Sequence, residues 1–155
     1  MKNQRVVLNL VKRLPMIEDE EDGIAGVKVL PHQKDFIESI NPTTGLVAGF
    51  GAGKSYAGTL KTIIKKLQYP SVKVAYYLPN YPLIRDIAFE KFPEMCNDLG
   101  LHYQLNKSDK ELIIKDFGTI IFRNMSEPEM IVGYEVGYSL IDECDVMPKH
   151  KMDKA

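Results

Sequence analysis

The chain contains no tryptophan and only two cysteines, Cys96 and Cys144, which lie 48 residues apart with no metal-ligand spacing. Such sparing use of cysteine fits a reducing, cytosolic compartment. Long apolar runs are also missing. The longest uncharged stretch, Ser39 to Gly53, is 15 residues long and is broken by Pro42 and four glycines, too short to span a bilayer. An excess of one charge is lacking too: 20 Lys and Arg against 21 Asp and Glu leave a formal charge of −1. A globally basic nucleic-acid coat is excluded, although a local basic face is not. The N-terminal MKNQRVVLNLVKRLP places basic residues inside its apolar segment and has no cleavage-type ending, unlike a signal peptide.

What remains is an ordinary globular composition. In 155 residues, 45% are apolar and 26% charged, enough for one domain with a real core. Residues 1–22 read as an N-terminal segment ending in an acidic linker, Glu18 to Asp22. Its first 15 residues alternate weakly, as a strand or a short helix would. From residue 23 onward the pattern is that of a folded domain. Pro31 opens a helix over 31–40 with Phe36, Ile37 and Ile40 on one face, and Asn41-Pro42 stops it. TGLVA at 44–48 reads as a buried strand, and residues 56–67 as a helix burying Leu60, Ile63, Ile64 and Leu67. VKVAYYL at 72–78 is a second strand. A helix follows from Asn80 and Pro82 to about Phe92, ended or kinked by Pro93, and a shorter one ends at Gly100. Residues 101–105, 111–116 and 118–123 form a meander with a turn at 115–118, so Asp116-Phe117-Gly118 is a hairpin turn and not a kinase metal motif. Ser126 caps a brief helix ending at Gly133, and a final strand runs from Gly137 to Ile141. Strand, helix, strand, helix predicts an α/β domain with a mainly parallel sheet flanked by helices and a small antiparallel insertion.

Two motifs carry chemistry. Residues 48–55 read Ala-Gly-Phe-Gly-Ala-Gly-Lys-Ser, a phosphate loop of pattern G-x-x-x-x-G-K-S/T with Ala48 at the first glycine position. Between a strand and a helix, such a loop aims backbone N–H groups at phosphate oxygens and adds the helix N-terminal charge. The nucleotide-binding set is therefore Gly49, Phe50, Gly51, Ala52, Gly53, Lys54, Ser55 and Tyr56, for ATP with Mg²⁺. Lys54 would reach the β- and γ-phosphates and Ser55 would offer its hydroxyl to Mg²⁺. The second motif is Tyr-Ser-Leu-Ile-Asp-Glu at 138–143, an apolar strand ending in two acids. Carboxylates at a buried strand end suit a cation and a hydrated site. Asp142 would contact Mg²⁺, directly or through water, and Glu143 would polarise the attacking water. Gln33, in Leu-Pro-His-Gln at 30–33, is a candidate adenine reader, since a carboxamide can pair with the adenine edge. Tyr76, Tyr77 and Tyr81 read as packing residues. The adjacent acids suggest a motor-type ATPase, in which an extra strand separates the two motif strands; residues 72–78 are a candidate for it.

Together with Tyr-Leu-Pro-Asn-Tyr-Pro-Leu-Ile-Arg at 77–85 and the run from Phe122 to Glu143, these motifs resemble the N-terminal ATPase region of a tailed-phage terminase large subunit. The resemblance covers roughly residues 28–148. It implies a P-loop NTPase core of the RecA-like, ASCE type over residues 23–155, incomplete at its C-terminal side and with no nuclease domain in this chain. It also implies Mg²⁺-dependent ATP hydrolysis that drives double-stranded DNA into a procapsid in the infected host's cytoplasm. The implied partners are DNA, the terminase small subunit, the portal protein and further copies in a ring, with no membrane. Phe50 and Val132 stand where family members often have arginine, and Cys144 stands in place of the usual alanine. Arg85 and Arg123 are the arginines nearest the motifs. A helicase-like motor, or a nucleotide-binding module without turnover, are the alternatives.

Overall fold

The computed structural model describes residues 23–24, 27–126 and 135–146. The expected helix after Ser126 and the segment 1–22 lie outside the described residues. Among the described residues, seven strands and four α-helices follow in order: β1 (Gly23–Ile24), β2 (Val27–Lys28), α1 (Pro31–Glu38), α2 (Lys54–Gln68), β3 (Val74–Leu78), α3 (Tyr81–Leu83), α4 (Phe89–Asp98), β4 (Tyr103–Asn106), β5 (Glu111–Ile114), β6 (Gly118–Asn124) and β7 (Tyr138–Ile141). A wide π-helical turn, Ile84–Ala88, joins α3 to α4, and a 3₁₀ turn, Cys144–Val146, follows β7.

β1 and β2 form a small antiparallel pair, and the other five strands make one mixed sheet of order β4-β5-β6-β3-β7. β3 runs parallel to both β6 and β7, with Tyr76 opposite Phe122 on one side and Leu140 on the other. β4, β5 and β6 form the antiparallel meander. The protein is thus mixed α/β. Two of the four ladders in this sheet are antiparallel, so the sheet is less parallel than expected.

Burial explains the layering. All five residues of β3 are buried, as a central strand requires. Val74, Tyr76, Leu78, Ile120, Phe122 and Leu140 share one core cluster with Ile37, Leu60, Ile63, Leu67, Phe92 and Met95 from the helices. Ala75, Tyr77, Ile121 and Met125 form a smaller cluster on the opposite face. Among the described residues, therefore, the helices cover one face of the sheet and do not flank both. Phe92 meets Tyr76 and Phe122 edge-on, with centroids 5.0 and 4.9 Å apart, contacts typically worth about 0.5–1.5 kcal/mol each beyond burial.

Local chemistry sets the element ends. Pro31 begins α1, where its missing N–H is harmless. The Asn80 side chain accepts from Leu83 N at 3.0 Å and starts α3. The β5–β6 turn forms at Lys115–Phe117 as expected, with Asp116 at φ 68° and Gly118 at φ 90°.

Four expectations are corrected. Residues 44–48 join no ladder. Thr44, Leu46 and Ala48 are half-buried and Gly45, Val47 and Gly49 exposed, so the segment has a strand's alternation without a partner. The reason is topological: β7 pairs with β3, and no described strand lies on its other edge. For the same reason β3 does not separate two motif strands; its neighbours are β6 and β7. Ile40 is 92% exposed because α1 ends before it, at Glu38. Finally, Pro93 does not end the helix but lies inside α4. Its ring crowds the carbonyl of Phe89, the first residue of α4, and the π turn directly precedes that residue.

Candidate functional site: the 48–55 loop and the end of β7

Gly53 is the N-cap of α2 at φ 73°, a left-handed conformation that glycine adopts without cost. No side chain caps this helix and its first turn carries no acid, so its leading N–H groups have no intrahelical acceptor. Ser55 lies in that first turn, half-buried. Phe50 and Gly51 are exposed at the loop tip, and Ala52 N donates to Gly49 O at 3.3 Å within the loop. Lys54 folds back over the loop. Its Nζ donates to Ala48 O at 3.0 Å and to Gly49 O at 3.2 Å.

Gln33 braces the loop from α1. It is 5% exposed, its Oε1 accepts from Leu30 N at 2.8 Å, and its Nε2 donates to Ala52 O at 3.1 Å and Gly53 O at 3.3 Å. The His32 ring nitrogen Nε2 also contacts Ala52 O, at 3.3 Å. The carboxamide of Gln33, expected to read adenine, is engaged with the α1 start and the loop in this structure. Lys61 completes the brace. Buried to 3% exposure, its ammonium donates to Phe36 O at 2.6 Å and Ser39 O at 3.3 Å and lies 4.5 Å from the Phe36 ring centroid. A cation on a helix's last carbonyls is favourable, and this one ties α2 to the C-terminal end of α1. Tyr56 turns away from the loop, donating its hydroxyl to Lys28 O at 3.4 Å.

Gly53→Ala is expected to lower stability by about 1–2 kcal/mol, the cost of a side chain in the left-handed region. The new methyl would also strike the Gln33 amide nitrogen. Urea unfolding measures the loss; a midpoint equal to that of the wild type would contradict this account of the loop.

Asp142 is the first residue beyond β7, and its N–H donates to Tyr77 O at 3.0 Å. It is 6% exposed, with Oδ1 accepting from Glu143 N at 3.0 Å and Oδ2 from the Tyr76 hydroxyl at 2.7 Å. Glu143 is half-buried at φ 55°, in the left-handed region that glycine favours. Leu140 and the Tyr76 hydroxyl both abut Gly58, one turn into α2. The acidic strand end therefore sits against the opening turns of the helix that begins at the loop. The Ser55 hydroxyl and the Asp142 carboxylate are the oxygen donors that could hold Mg²⁺, an ion that takes one or two protein oxygens and completes its shell with phosphate and water.

Burial, then the Asp142 charge, hold the Tyr76 phenol well above its usual range, so it remains a donor at neutral pH. Sequence reasoning missed this contact. The available signal was a tyrosine in an apolar strand, since a buried hydroxyl needs a partner. The two candidate arginines are engaged by other groups. Arg123 Nη1 donates to Phe122 O at 2.7 Å and Lys110 O at 3.3 Å, and Nη2 lies 3.6 Å from Glu111 Oε1, so it is built into the meander. Arg85 pairs with Asp86 at 2.7 Å on the surface.

Comparison with known families decides the lineage. The family model described as terminase large subunit, T4likevirus-type, N-terminal, matches residues 46–154, most of the chain. The chain belongs to this terminase family. Its matched region takes in the end of the unpaired 44–48 segment, the loop, α2, the mixed sheet and the Asp142-Glu143 pair, and leaves out α1 with Gln33. Membership suggests a role in phage DNA packaging. Among curated proteins and among solved structures, none matches the chain. Among the described residues, no helix is long and apolar enough to cross a membrane.

Proposed function

We propose that the chain is the ATP-binding and ATP-hydrolysing part of a terminase large subunit, with a P-loop NTPase core of the RecA-like type, and that it powers movement of double-stranded DNA into a procapsid. The observation that carries the reading is the packing of the acidic end of β7 against the first turns of α2, through the Tyr76–Asp142 hydrogen bond and the Gly58–Leu140 contact. A phosphate-binding helix start and a cation-binding carboxylate belong side by side in a phosphoryl-transfer site.

In this reading the leading N–H groups of α2 and the loop amides at Gly51 and Gly53 receive the phosphates. Lys54 exchanges its two loop carbonyls for β- and γ-phosphate oxygens, a trade that favours an ammonium facing a polyanion. Ser55 and Asp142 hold Mg²⁺, which neutralises phosphate charge when bound. Glu143 accepts the proton of the attacking water. Gln33 and Lys61 keep the loop fixed relative to α1, so that less order is lost when the nucleotide binds. Arg123 is held by the meander and Arg85 by Asp86, and the reading assigns the charge-stabilising arginine to a neighbouring copy in a homo-oligomeric ring. Duplex DNA, a terminase small subunit and a portal protein are its partners, in the host cytoplasm.

Phosphate release by the purified chain, assayed with Mg²⁺ in the presence and absence of duplex DNA, tests the motor reading. Slow release that DNA stimulates is expected, since the charge-stabilising arginine is assigned to a neighbouring copy. Nucleotide binding without release in either condition would reduce the chain to a binding module.

A further inference from the structure

The carboxylate at the end of β7 is held by a residue that belongs to neither motif. Tyr76 lies in the middle of β3 with no exposed surface, its ring fixed edge-on against Phe92. Phenylalanine would fill that apolar space equally well, and a buried hydroxyl is unfavourable unless it is paired. The pairing it finds is Asp142 Oδ2, at 2.7 Å. Thr59 Oγ1, also buried, makes no hydrogen bond, so Asp142 is the acceptor that accounts for the hydroxyl. The second carboxylate oxygen takes the Glu143 N–H, and the Asp142 backbone is pinned to Tyr77 O. Two donors from two directions thus fix one carboxylate orientation. Each oxygen offers about two acceptor positions, which leaves one on each for a cation or a cation-bound water.

We infer that Tyr76 is a positioning residue for the Mg²⁺ site, its O–H orienting Asp142 so that the remaining lone pairs meet the cation carried by the nucleotide. Outer partners of this kind tune metal affinity because they decide where the ligand's lone pairs point. The inference rests on the nucleotide reading above, and its test lets the two fail separately.

The experiment measures binding of a fluorescent ATP analogue to the whole chain, once with Mg²⁺ titrated in and once in EDTA. Tyr76→Phe keeps the ring and removes only the O–H, and a thermal melt checks that the fold survives. We expect the apparent Mg²⁺ affinity of the nucleotide complex to fall about tenfold, with binding in EDTA unchanged. In a cycle with Asp142→Asn, the double variant should respond to Mg²⁺ as Asp142→Asn alone does. Losses that add in the double variant, an unchanged Mg²⁺ response, or an equal loss with and without Mg²⁺ would each overturn the positioning role. Wild-type binding that Mg²⁺ does not affect would overturn this inference alone, whereas no binding of the analogue by the wild type would overturn the nucleotide reading and this inference with it.

Discussion

Glu143→Gln is expected to leave nucleotide affinity unchanged and to slow hydrolysis by about 10²–10⁴-fold, the usual contribution of a positioned general base. The substitution keeps shape and hydrogen-bonding reach and removes the capacity to accept a proton. The backbone makes this position informative. Glu143 sits at φ 55° with its N–H donating to Asp142 Oδ1. Holding a non-glycine residue there costs roughly 1–2 kcal/mol, and such strain gathers at functional sites. Glu143→Gly therefore separates the two demands, retaining or raising stability while losing turnover. Single-turnover phosphate release with DNA present gives the rates, and urea unfolding gives the stabilities. A Gln variant as fast as the wild type would remove Glu143 from the chemistry.

Lys54→Ala should lower the affinity for ATP with Mg²⁺ by about 10–100-fold. Hydrogen bonds to charged groups contribute about 1.5–3 kcal/mol, and each 1.4 kcal/mol is about tenfold in affinity. The stability change should stay within about 0.5 kcal/mol, because the carbonyls that Lys54 holds, at Ala48 and Gly49, lie on a loop that water reaches. Lys54→Arg should restore little, since a planar guanidinium cannot stand in for a compact ammonium. Isothermal titration calorimetry measures the affinities. Equal affinity in wild type and Lys54→Ala would remove the phosphate role from this loop.

Much of this was legible because it is local. The apolar spacing of Leu60, Ile63 and Leu67 reports α2, the buried run of β3 reports a central strand, and Asp116 to Gly118 reports its own turn. The family resemblance lay in motifs of the same kind, short and ordered along the chain. What the sequence did not disclose depends on partners far away in it. Whether 44–48 becomes a strand depends on a neighbour, and the alternation of Leu46 and Val47 is the same with or without one. The contacts of Gln33 to Ala52 O and Gly53 O were hidden because those carbonyls lie about twenty residues downstream. Tyr76 and Asp142 are 66 residues apart and meet only because β7 docks beside β3. Pro93 announced an end to the helix, yet it lies inside α4.

The central claim is that nucleotide phosphates bind at the start of α2, beside Asp142. The most direct measurement is a titration of ATP with Mg²⁺ into the ¹⁵N-labelled chain, followed by amide chemical shifts. The account predicts that Gly51, Gly53, Lys54 and Ser55 shift first and furthest, that Asp142 and Glu143 follow when Mg²⁺ is present, and that the β4–β5 hairpin stays still. Shifts confined to the meander, or a loop unmoved at millimolar ATP, would contradict it.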